Sequence, residues 1–200
     1  MKQLARSKSD PTMEVDQNLI FYEGKYILLK VLVEDDIINS GWVGWFNDAN
    51  LSQQNSHHYF PNTYDKQFEY FKDCHGPKRM SLGIINKNGD QNICGIVTLD
   101  NIDLVHRNCE IAGILGHSRK NNNPMIFFEA YSIMLRHAFE ELGLKKVYGA
   151  GLDVNLHEGL KRMFNFEQEG IKRNHFFKNG EFHDLISIAV FADTVKYPDF

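Results

Sequence analysis

Residues 93–116 read ICGIVTLDNIDLVHRNCEIAGILG. Two apolar runs, 93–99 and 109–115, stand on either side of a polar stretch, which is the pattern of two neighbouring strands. Glu110 interrupts the second run, which is otherwise nearly all apolar as far as Leu115. Downstream, 124–142 carries the longest helix signal in the chain. Phe127, Tyr131, Met134, Ala138 and Leu142 recur at helical spacing, and Phe128, Leu135 and Phe139 widen the same face. Gly143 stands where a helix C-cap belongs. A buried strand at 146–152 and a short helix at 155–164 follow. Asn179-Gly180 then joins strands near 170–177 and 182–191 in a hairpin.

Upstream, 80–85 reads as a strand turned into 93–99 by Asn88-Gly89. Thr63 or Asp65 caps a helix carrying Phe68, Tyr70 and Phe71, which Gly76-Pro77 ends. Residues 48–63 form a polar loop. Glu34-Asp35-Asp36 starts a helix before Ile37, Ile38, Trp42, Trp45 and Phe46, and 26–32 is the first strand. Residues 1–20 are polar and aperiodic and are expected to be a flexible arm, with one domain over 21–195. The order predicts an α/β fold: a mixed, mostly antiparallel twisted sheet of about seven strands with helices on both faces.

Composition narrows the function classes. The 200 residues are 42% hydrophobic and 24% charged, as in ordinary globular chains. Lys+Arg 22 against Asp+Glu 26 gives a net charge of −4, which argues against a nucleic-acid or anionic-membrane surface. No stretch has the length of a membrane span, and the first residues lack an apolar signal-peptide core, so a cytoplasmic protein is expected. Cys74, Cys94 and Cys109 are odd in number and widely spaced, so neither a disulfide framework nor a structural zinc site is expected.

Several phrases together carry a resemblance. They are Trp45-Phe46-Asn47-Asp48, the run from Cys94 to Asp103, the run from His106 to Gly116, and Glu129-Ala130 leading to Ala138-Phe139-Glu140-Glu141-Leu142-Gly143-Leu144. Asn155, Phe166, Glu169-Gly170 and the hairpin from Lys178 to Asp184 complete the set. In this order the chain resembles the GNAT superfamily of acetyl-CoA-dependent N-acyltransferases, in the branch with ribosomal-protein-type and nucleotide-sugar N-acetyltransferases. The resemblance implies a single GNAT-type domain, acetyl-CoA as co-substrate, no metal, and a sheet splayed between 109–115 and 146–152. It departs from the family at the pyrophosphate loop. Where the family carries glycines, this chain has Asn122, Asn123, Pro124 and Met125, with Phe127 at the last small position.

The candidate site follows from these residues. Glu110 is either a general base for the substrate ammonium or a structural partner of Arg107 or His106. Asn123 with Pro124 makes a sound helix start that attracts anions, yet Pro124 removes a donor. By resemblance, Ile114 and Leu115 would pair the pantetheine arm, while Asn122, Asn123 and Phe127 flank the diphosphate. Asn155 would either contact the arm or simply cap a helix. No Tyr occupies the following helix, and His157 reads as a solvated helix residue. Gln54, His57, His58 and Tyr59 form a polar-aromatic loop where the acceptor would enter. Adjacent histidines lack metal spacing.

The expected function is acetyl transfer to a primary amine of a small molecule, with a nucleotide-linked amino sugar as first candidate. The alternatives are a protein N-terminal or side-chain amine, and a non-catalytic binding protein that has lost acetyl-CoA. No nucleic-acid or membrane partner is expected, and a homodimer is compatible with this reading.

Overall fold

A computed structural model describes residues 15–53, 59–89, 92–116 and 123–200. Nine strands form one sheet: β1 (Ile20–Glu23), β2 (Ile27–Val31), β3 (His75–Gly76), β4 (Arg79–Asn86), β5 (Ile93–Asp103), β6 (Asn108–Leu115), β7 (Lys146–Gly151), β8 (Glu167–Lys178) and β9 (Glu181–Phe191). Their order is β1-β2-β4-β5-β6-β7-β9-β8, with β3 against β4. Every pairing is antiparallel except β6 with β7. The two strands beyond the expected seven are β1 and β3, edge pieces too short to show alternation.

The sheet carries a core on each face. On one side α1 (Glu34–Asn39), α2 (Trp42–Trp45) and α3 (Tyr64–Lys72) bury Ile37, Trp42 and Trp45 against Ile85, Ile93 and Ile96. On the other, α4 (Met125–Arg136) and α5 (Val154–Phe164) bury Ile126, Met134, Leu135, Leu160 and Phe164 against Val97, Leu99, Val147 and Val190. The alternation of β5 is what divides Ile96 from Val97 between the two cores. Among the described residues no helix is long and apolar enough to cross a membrane.

Local chemistry sets the helix ends. Asp36 accepts the Val33 amide at 2.8 Å and starts α1, while Thr63 accepts the Lys66 amide at 3.3 Å and starts α3. The single helix expected over 124–142 instead relaxes after Arg136 into a π turn, His137–Glu141, before Gly143 closes it at φ 63°. Asn179 and Gly180 both hold positive φ, as a two-residue hairpin turn requires. Within the segment expected as a flexible arm, Gln17–Leu19 form a 3-10 turn that runs into β1, and residues 1–14 lie outside the described residues.

Packing between β5 and β6 is tight enough to test. A Cβ on Gly95 would lie 2.6 Å from the Ile114 carbonyl and 2.6 Å from Leu115 Cδ2. Because a ladder carbonyl cannot retreat, Gly95→Ala should cost about 2 kcal/mol in denaturant unfolding. A shift under about 0.5 kcal/mol, the usual range for an innocuous surface change, would mean the ladder yields.

Candidate active site

The geometry of the site follows from where one ladder stops. β6 and β7 pair at Asn108↔Lys146, Cys109↔Val147 and Glu110↔Tyr148, and no further. β7 continues along β9 as far as Gly151, and β6 along β5 as far as Leu115. The two strands therefore part just beyond Glu110, and β6 presents an unpaired backbone edge to the gap. Gly149 sits at the apex, where a Cβ would lie 3.3 Å from the Ile111 carbonyl.

Two cavities flank β6. The gap itself holds about 260 Å³, lined by residues 149–153 of the β7 side and by Tyr131, His157 and Leu160 from the helices. On the α1–α3 side lies a larger cavity of about 610 Å³, walled by Trp42, Phe46, Tyr59, Phe60 and Tyr70. Glu110, Ala112, Gly113 and Ile114 line both. Glu110 is the one ionisable side chain among them.

Glu110 faces Asp100 across the ladder, and both carboxylates line the larger cavity. Arg79 holds Asp100 in a two-pronged ion pair at 3.0 and 2.9 Å. Glu110 accepts one hydrogen bond, at 3.2 Å, from the side-chain amide of Asn101, whose backbone is left-handed at φ 51°. Arg107 instead donates to the Gly143 carbonyl at 2.9 and 2.5 Å, and the His106 amide is held by Asp103 at 2.8 Å. The structural partner that the sequence offered Glu110 in Arg107 or His106 is thus replaced by Asn101. Burial, reinforced by the Glu110 charge, pushes the Tyr131 and Tyr148 phenols upward, so both stay protonated.

The other sequence-derived residues are placed less uniformly. Ile114 lines the gap, whereas Leu115 packs into the core beside Gly95. Asn123 accepts the Met125 amide at 3.0 Å, and Pro124 has no amide to offer. Phe127 lies 4.4 Å from Tyr131, ring to ring, and both rings cover Gly113. Asn155 is exposed on the first turn of α5, while Asp153 caps that helix by accepting the Leu156 amide at 3.0 Å. Tyr59 lines the larger cavity with the Lys178 ammonium 5.1 Å from its ring, and Lys178 also donates to the Ser52 carbonyl. Gln54, His57, His58 and Asn122 lie outside the described residues.

His157, expected in solvent, lines the gap against Gly151. Its Nδ1 is buried with no hydrogen-bond partner among the described residues. Burial draws its pKa down, against the opposing pull of Asp153 and Glu158. Asp153, Trp42 and Gln67 were also not singled out as site residues. Asp153 alone had a local signal, an N-cap type two residues before Asn155. Among the described residues, no three His, Cys, Asp or Glu side chains group as metal ligands.

No family model matches the chain. A comparison with solved structures finds the spermidine N-acetyltransferase of Vibrio cholerae, in complex with CoA and spermine. Its TM-score is 0.70 at 20% identity, over 86% of this chain and 98% of that one. A GCN5-related N-acetyltransferase from Brucella melitensis gives a TM-score of 0.65 at 18% identity, over 86% and 79%. The chain has the GCN5-related N-acetyltransferase fold. Among curated proteins, the YdaF protein of Bacillus subtilis (strain 168), named as a candidate ribosomal N-acetyltransferase, is 30% identical over 98 residues. That match covers 48% of this chain, which spans about half, 52%, of the curated relative. The splay beyond Glu110 is where the sequence resemblance put it, between β6 and β7.

Proposed function

We propose that the protein transfers the acetyl group of acetyl-CoA to a primary amine of a small molecule. The observation that carries this reading is the position of Glu110, at the last paired step of the β6–β7 ladder and in the wall of both cavities. The gap suits the narrow arm of CoA, because it is bordered by an unpaired strand edge whose backbone groups need partners. Ile114 and neighbouring backbone would hold that arm, and Asp153 and His157 would border it. When bound, acetyl-CoA supplies an activated thioester.

The chain's own residues supply positioning and proton handling. Glu110 takes a proton from the acceptor ammonium, leaving the neutral amine able to attack. β6 holds the two substrates on either face of one strand, so that much of the rate comes from proximity. Backbone amides on the β6 edge would stabilise the developing oxyanion. As the C–N bond forms and the C–S bond breaks, the second amine proton balances the departing sulfur. Tyr131 and His157 are proton-bearing side chains lining the gap.

A nucleotide-linked amino sugar, the first candidate from sequence, finds amide groups for its hydroxyls in Asn62 and Gln67. Its diphosphate finds one lysine, Lys66, among the described lining residues. The Vibrio cholerae neighbour acts on spermidine by its name, and YdaF is named for a ribosomal acceptor. The common term is a primary amine.

One observation favours a second reading, a binding protein that no longer holds acetyl-CoA. At the start of α4, Pro124 lacks a donor, Asn123 occupies the Met125 amide, and Phe127 is bulky. Calorimetry with acetyl-CoA, followed by thiol release with an amine, decides between them. Binding is expected, and no heat at millimolar acetyl-CoA would remove the enzyme reading. Replacing Asn123 and Met125 by Gly frees an amide and clears space, so acetyl-CoA affinity should rise about threefold to tenfold in the same titration.

A further inference from the structure

The larger cavity says more about the acceptor than that it is an amine. Its outer wall is aromatic: Trp42, Phe46, Tyr59, Phe60 and Tyr70. Phe60 lines it while 80% exposed, so its ring face is open to a ligand. Trp42, only 1% exposed, lends the wall its ring, while its indole N–H is sealed from solvent and has no partner among the described residues. The wall therefore offers stacking faces.

Charge limits the occupant further. Asp100 is matched by Arg79, whose guanidinium also lies 4.7 Å from the Tyr70 ring. Lys66, which donates to the Pro61 carbonyl at 2.9 Å, is the one lysine or arginine lining the cavity among the described residues. Among the described lining residues, Glu110 is then the single carboxylate left for a ligand cation. Among the described lining residues, a polyamine would find no second unpaired carboxylate for its further ammonium groups, and a diphosphate would face Glu110 with Lys66 as the one lining cation.

Resting on the acetyl-transfer reading, we infer that the acceptor is a monocationic amine carried on a flat aromatic ring by a short apolar linker. Its ammonium lies at Glu110, and its ring stacks within the aromatic wall. Offset or edge-to-face ring contacts make such a wall selective for flat partners over alkyl chains of equal length.

Tyramine, n-hexylamine, spermidine and a UDP-linked amino sugar are compared as acceptors by thiol release. Tyramine binding is also titrated calorimetrically without acetyl-CoA. Tyramine should exceed n-hexylamine in kcat/KM by about tenfold, with the other two lower still. Phe60→Ala, at an exposed position where folding is not at stake, should cut that preference to about threefold or less. The inference is overturned if spermidine, the amino sugar or n-hexylamine equals tyramine, or if Phe60→Ala leaves the preference intact. Acetyl transfer alone fails if acetyl-CoA gives no heat and no acceptor releases thiol while tyramine still binds. Absence of tyramine heat at millimolar concentration overturns the ring site whatever acetyl-CoA does.

Discussion

Glu110→Gln should lower kcat for acetyl transfer by about a hundredfold or more at neutral pH while leaving acetyl-CoA affinity nearly unchanged. The substitution keeps the size of the side chain and an oxygen for the Asn101 amide, so the 3.2 Å contact survives. What it removes is the basic oxygen pair. At neutral pH an aliphatic amine is almost entirely ammonium, and without a base the reactive neutral fraction is small. Raising the pH toward the pKa of the amine supplies that fraction from solution, so the deficit should shrink steadily in the alkaline range. A variant that unfolds at lower denaturant yet keeps its rate per folded molecule would make Glu110 a structural residue.

The second large effect concerns stability. Glu129 is 3% exposed, and its carboxylate accepts the Lys25 amide at 2.5 Å and the Tyr26 amide at 2.9 Å. It thereby holds the turn between β1 and β2 against α4. A Cβ on Gly24 would meet this carboxyl group at 2.7 Å, so the turn is fitted around it. Hydrogen bonds to a charged acceptor contribute more than neutral ones, and losing both strands two amides near the core. Glu129→Ala should therefore cost about 3 kcal/mol in urea unfolding, with an unchanged slope and acetyl transfer retained by the folded fraction. A loss near zero would show that water replaces the carboxylate in full.

The legibility of this chain in its sequence differs by element. Long periodic segments were clear: α4 from its apolar spacing, β5 and β6 from their runs, and the β8–β9 hairpin from Asn179-Gly180. Edge strands β1 and β3 were not, because four and two residues hold too little pattern. Glu110 stood out because an acid in an apolar strand must be explained, but its partner Asn101 depends on a ladder register invisible locally. Glu129 belongs to a family-like phrase in the sequence, but the turn it holds lies more than a hundred residues upstream and leaves no local sign. Asn155 drew attention by family position, whereas the cap went to Asp153 because helix geometry rewards the residue whose oxygen meets the third amide. Trp42 and Phe46 read as core residues, and no periodicity says that a core ring also faces a cavity.

The separation of the two cavities by one strand also bears on kinetics. On the acetyl-transfer reading each ligand would reach Glu110 from its own side of β6, where the two cavities lie, and neither would have to pass through the space of the other. Occupancy of one cavity leaves the entrance of the other open, so neither ligand need arrive first. Both must be present together for the amine to meet the thioester, and no enzyme-bound acetyl group is required between half-reactions. Double-reciprocal plots should accordingly intersect rather than run parallel, and a dead-end analogue of either substrate should compete with that substrate alone.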